Sequence, residues 1–138
     1  MFRHLAAAAS ALVVVSACVP SDPSGRQTFV TRESAVVLFS SVDDPFEVRF
    51  KAGLGAPDYW CAAGRFADQQ NLSGSTRIYR LTPNPRPQGS GIVFTFVPPA
   101  PGMAQPTGLM RISSNTDSLS AFQARDQCNV VRLRTERF

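Results

Sequence analysis

Hydrophobic positions change their spacing several times along this chain, and each change marks an element. Residues 34–42 are a β-branched and aliphatic run, broken by Asp43-Asp44-Pro45. Phe46, Val48 and Phe50 then alternate with Glu47, Arg49 and Lys51, the period-two pattern of a strand with one wet face. The two runs predict an antiparallel hairpin. Aspartates before a proline are turn formers first. Paired carboxylates for acid–base or metal chemistry are the weaker reading of Asp43 and Asp44.

The period then lengthens. Pro57 suits a first helical position and Asp58 complements the helix dipole, which predicts a helix over 57–69. At 100° per residue, Tyr59, Trp60, Ala63, Phe66 and Ala67 share one face, which should lie on a sheet. Cys61, Gly64 and Asp68 run along nearly the opposite side. A cysteine there implies a second segment crossing the helix, and Gly64 would admit its close approach. The segment carrying Cys128 is the expected partner, with a Cys61–Cys128 disulfide; two separate buried thiols are the alternative.

After the helix, 71–75 reads as a turn and 76–81 as a strand. Residues 82–90 form a proline-stiffened loop. Residues 91–97 are apolar on both alternating sets, as in a central strand covered on both faces. A second proline-rich loop over 98–106 precedes a strand at 107–112. Residues 118–127 predict a short helix, capped by Asp117 or Ser118, with Leu119 and Phe122 inward. A last strand over 130–135 would place Val131 and Leu133 on one face, and Arg132, Arg134 and Glu136 on the other. Short connections favour antiparallel pairing. The expected fold is therefore α+β: a twisted antiparallel sheet of five or six strands, the 57–69 helix on one face, closed by the disulfide. A loop that long makes such a bond worth roughly 4 kcal/mol by chain entropy.

The N-terminus follows a different logic. Arg3 and His4 precede an apolar stretch over 5–15, too short to span a bilayer and suited to a signal-peptide core. It ends Val15-Ser16-Ala17-Cys18. This resembles the lipobox of bacterial lipoproteins, in which the cysteine becomes the first residue and carries a diacylglycerol thioether and an N-acyl chain. Val15 and Ala17 also satisfy ordinary signal cleavage at the same bond. Cysteine parity separates the two: the chain has three cysteines, and lipidation of Cys18 leaves Cys61 and Cys128 as an even pair. The resemblance implies a membrane anchor of palmitate-type acyl chains. Val19, rather than an acidic residue, implies the outer membrane, facing the periplasm; a soluble periplasmic protein is the alternative. The Tyr59-Trp60-Cys61-Ala62-Ala63-Gly64 segment resembles one found in small exported proteobacterial proteins, which implies a location and no activity. The expected organisation is a signal peptide at 1–17, the lipidated cysteine and a polar tether at 18–33, and one domain at 34–138.

Composition narrows the chemistry. The formal charge is +4, lowered by one when Arg3 leaves, and the basic residues are nearly all arginine. They are spread out rather than interleaved with aromatics, so no nucleic-acid partner is expected. The single histidine, His4, departs with the signal peptide. Without imidazole or a free thiolate the mature chain has no Ser-His or Cys-His nucleophile pair and no His-based zinc site. No cofactor, metal or enzymatic activity is expected. A general base at Lys51, or a carboxylate at Asp58, Asp68 or Asp126 beside a serine, is the enzyme alternative, and no spacing joins them.

Two features suit partner binding. Pro98, Pro99, Pro101, Met103 and Pro106 would make a rigid apolar lip, and Arg132, Arg134 and Arg137 would contact lipid phosphates or an acidic partner. A bare exposed loop and a solvated strand face are the plainer readings. The expected function is a lipid-anchored, non-catalytic interaction domain that binds an envelope protein or the cell wall. A small periplasmic inhibitor or ligand-binding module is the alternative; an inhibitor should show a protruding loop at 82–90 or 98–106.

Overall fold

The computed structural model describes residues 24–83, 85–100 and 117–137. Six short strands and two helices follow one another as β1 (Gln27–Val30), β2 (Val36–Phe39), β3 (Phe46–Val48), α1 (Ala56–Gln69), β4 (Arg77–Arg80), β5 (Ile92–Thr95), β6 (Ser118–Ser120) and α2 (Ala121–Thr135). The strands make one sheet in the order β1-β2-β3-β5-β4-β6, and every neighbouring pair is antiparallel. This is the α+β architecture expected from the sequence. The hairpin joins β2 to β3 with Val37 opposite Val48, and Asp44 turns the chain by donating its N–H to the Ser41 carbonyl at 3.3 Å.

Period-two alternation decides which sheet face is dry. Phe29, Val37, Phe39, Phe46, Val48, Ile78, Ile92, Phe94 and Leu119 all join the one hydrophobic core. α1 presents Tyr59, Trp60, Ala63, Phe66 and Ala67 to that core, the face its periodicity predicts. Phe66 is fully buried, with its ring 4.7 Å from those of both Phe39 and Phe46 and 5.9 Å from that of Phe96. Trp60 meets the Phe94 ring at 4.9 Å.

The opposite side of α1 is covered as well. Cys61 is bonded to Cys128 on α2, with the Cα atoms 4.8 Å apart and the two residues separated by 67 positions in the chain. Near Gly64 the two backbones almost touch: a β-carbon there would lie 2.5 Å from the Arg125 nitrogen and 2.8 Å from the Ala124 carbonyl carbon. Asp68 accepts from Arg125 Nη1 at 2.8 Å. The Cys61, Gly64, Asp68 stripe is thus one continuous seam with α2. α1 is buried between the sheet and α2.

Three expectations change. The strand expected at 130–135 is the second half of α2. Val131-Arg132-Leu133-Arg134 alternates, but Ala121, Ala124, Cys128 and Val131 keep helical spacing, and these are the buried residues. Arg132 and Arg134 therefore do not share a strand face, and Leu133 is exposed rather than beside Val131. The cap of this helix is Ser120, not Asp117 or Ser118: Ser120 Oγ accepts from Gln123 N at 3.2 Å, while Gln123 Oε1 accepts from Ser120 N at 3.0 Å. Leu119 is buried on β6, whereas Phe122 points out to solvent. Finally, β1 lies inside the stretch read as tether, so the sheet begins ahead of residue 34. The signal-peptide and lipobox residues, including Cys18, and the strand expected at 107–112 lie outside the described residues.

Candidate functional site

Beside the disulfide, α1 and the second half of α2 border a space that two loops also line. The result is a cleft of about 430 Å³. Asp58 and Arg65 stand seven residues apart, two helical turns, and so face it from the same side of α1. α2 contributes Cys128, Val131, Arg132 and Arg134. The 31–35 loop adds Arg32 and Glu33, and the 51–54 loop adds Gly53 and Leu54.

Both loops are held by their own hydrogen bonds. Thr31 donates its N–H to the Ala35 carbonyl at 2.9 Å, Ala35 N donates to Thr31 Oγ1 at 3.2 Å, and Ser34 N donates to the Thr31 carbonyl at 3.0 Å. Ser34 is held at φ 63°, a left-handed conformation uncommon for a residue with a side chain. Gly53, at φ 87°, turns the second loop, where Leu54 N donates to the Lys51 carbonyl at 3.2 Å.

Two ion pairs fix the walls. Arg134 Nη2 donates to both oxygens of Asp58, at 2.6 and 2.7 Å, and Asp58 Oδ2 also accepts from Gly55 N at 2.7 Å. The Asp58 carboxylate is therefore buried but fully engaged, and it caps α1. Across the cleft Arg65 Nη2 meets Glu33 Oε1 at 3.1 Å. Glu33 Oε2 and Arg65 Nε have no hydrogen-bond partner among the described residues. Arg32 is exposed and has none among the described residues, and Arg132 reaches only Glu136 of its own helix, at 3.8 Å. Four guanidinium groups face two carboxylates here. The Glu33 carboxylate and the two cysteine sulfurs lie within 4.8 Å of one another. With the sulfurs bonded to each other neither is a thiolate, so the trio is no metal-ligand set in this state.

The site residues expected from the sequence scatter. Cys61 and Cys128 are joined. Arg132 and Arg134 both reach the cleft, one open to solvent and the other locked on Asp58. Pro98 is exposed and Pro99 half-buried, while Pro101 and Met103 lie outside the described residues. Asp58, Asp68 and Asp126 are engaged separately, with Arg134, Arg125 and Asn129, and Lys51 is exposed away from them. The 82–90 loop is fastened down: the Arg86 guanidinium lies 4.7 Å from the Tyr59 ring centroid and 5.5 Å from that of Phe50, and donates to the Ser90 carbonyl at 3.0 Å.

Arg32, Glu33, Leu54 and Arg65 were not singled out from the sequence. The first two fell in the presumed tether, and the others signal nothing until α2 is known to be a helix. The seven-residue spacing of Asp58 and Arg65 was the one available clue. Comparison with protein-family models, curated proteins and solved structures finds no match to this chain.

Proposed function

We propose that this chain is a lipid-anchored, non-catalytic binding domain of the bacterial cell envelope, attached to the outer membrane through Cys18 and facing the periplasm. Cysteine accounting carries the reading. Cys61 and Cys128 are spent on each other inside the fold, which leaves Cys18 as the unpaired cysteine, at the lipobox position. More than one acyl chain at that position would give a stable anchor, at ~0.8 kcal/mol per buried methylene. The domain beyond it would engage an envelope protein, the cell wall or a soluble ligand.

Within that reading, a ligand-binding module is favoured over an inhibitor. The cleft between α1 and α2 is concave and walled by fixed charges, whereas the 82–90 loop is tied to the fold by Arg86, whose guanidinium lies on the Tyr59 and Phe50 rings.

Metabolic labelling with a palmitate analogue tests the anchor. Wild-type protein should take up label and Cys18→Ala should not. Equal labelling of the two, or of neither, rejects the reading.

A further inference from the structure

We propose that the cleft between α1 and α2 binds a small divalent oxyanion, in the first instance an organic dicarboxylate. Its volume of about 430 Å³ falls in the ~300–1,000 Å³ range of small-ligand sites. The charge inside is unbalanced. Asp58 and Glu33 neutralise Arg134 and Arg65 and fix them in place, while Arg32 and Arg132 remain with little or nothing to pair with. Arg32 is uncommitted among the described residues and Arg132 is held only by an exposed 3.8 Å contact with Glu136, so both can turn to a ligand's negative charges, and a guanidinium fork matches the two oxygens of a carboxylate. Leu54 and Val131, between the charged walls, offer apolar contact to the short carbon chain joining two carboxylates.

The site is built before a ligand arrives. The disulfide, the Asp58–Arg134 pair and the Glu33–Arg65 pair fix the two helices and the 31–35 loop relative to one another. Ser34 keeps its left-handed backbone in that same loop, a conformation that costs ~1–3 kcal/mol and persists only where surrounding structure over-determines it. The Glu33–Arg65 pair makes one contact, and the buried Arg65 Nε donor in this wall has no partner among the described residues.

The inference does not depend on acylation of Cys18; labelling tests the anchor and a titration tests the cleft, so each can fail alone. The full-length chain in neutral detergent is titrated with succinate, with inorganic phosphate, and with sodium chloride at matched ionic strength. Backbone amide resonances of Gly53 and Leu54 are followed by NMR. We expect saturable shifts with succinate or phosphate and none with chloride; the anion that saturates at the lower concentration identifies the source of the charge. The double variant R32Q/R132Q should weaken binding at least tenfold with its unfolding midpoint unchanged, since both side chains are exposed. Arg132→Lys, which keeps the charge and loses the fork, should fall between. Shifts that only track ionic strength, or saturable binding of equal strength in R32Q/R132Q, overturn the proposal.

Discussion

Gly64 of α1 and Arg125 of α2 meet backbone to backbone: a β-carbon on Gly64 would lie 2.5 Å from the Arg125 main-chain nitrogen. The contact sets how closely α2 packs on α1, and therefore where Cys128 stands relative to Cys61. An alanine at 64 gains up to ~1 kcal/mol of helix propensity. Its clash is with main-chain atoms of a helix, which cannot rotate away, and overpacking of this kind costs ~1–3 kcal/mol or more. The clash wins. Gly64→Ala should lower unfolding stability by about 1–2 kcal/mol in urea titrations.

The helical nature of α2 has a sharp consequence at two neighbouring positions. In the strand expected from the sequence, Val131 and Leu133 share a face. In α2 Val131 is 6% exposed against the disulfide and Leu133 is 54% exposed. Val131→Ala should therefore cost about 1–3 kcal/mol through lost burial, while Leu133→Ala should stay within about 0.5 kcal/mol of wild type. Equal effects at the two positions would restore the strand.

Arg134 and Asp58 form the shortest ion pair among the described residues. The carboxylate is 5% exposed and the arginine 45%, so solvent screens one end only. Removing Arg134 leaves Asp58 with the Gly55 N–H as its remaining donor among the described residues. Arg134→Ala should cost about 1–2 kcal/mol, less than the ~3–5 kcal/mol of a fully buried pair. Asp58→Asn, which keeps the size of the group, should cost a similar amount. A double-mutant cycle should give a coupling of about 1 kcal/mol or more; additive effects would mean the pair contributes nothing net.

Arg86 packs against the Tyr59 and Phe50 rings and fastens the 82–90 loop. Two cation–π contacts at a partly exposed site amount to ~1–2 kcal/mol together. Arg86→Ala should lower unfolding stability by about 1–2 kcal/mol and speed proteolysis within the loop. Unaltered cleavage would mean that the prolines alone hold it.

How much of this was legible before the structure follows from which signals are local. The inward face of α1 could be read directly, because Tyr59, Trp60, Ala63, Phe66 and Ala67 repeat at helical spacing within one window. The seam with α2 could be anticipated from a cysteine and a glycine on the opposite side. The form of the crossing segment could not. Val130, Val131 and the alternating arginines favour a strand locally, and only tertiary contacts at Ala124, Cys128 and Val131 make it a helix. β1 was missed because Gln27–Val30 is short and flanked by polar residues, and its alternation matters only once β2 lies beside it. The cleft went unread for the same reason. Its walls come from four separate segments, and no window of sequence contains more than two of them.

The three cysteine sulfurs supply the proposed anchor and the cross-link, and intact-mass measurement of envelope-purified protein under non-reducing conditions tests that use most directly. The predicted species begins at Cys18, carries the added mass of diacylglycerol and an acyl chain, and takes up maleimide only after reduction, at two sites. A chain of unmodified mass, or maleimide addition at both Cys61 and Cys128 without reduction, would contradict it.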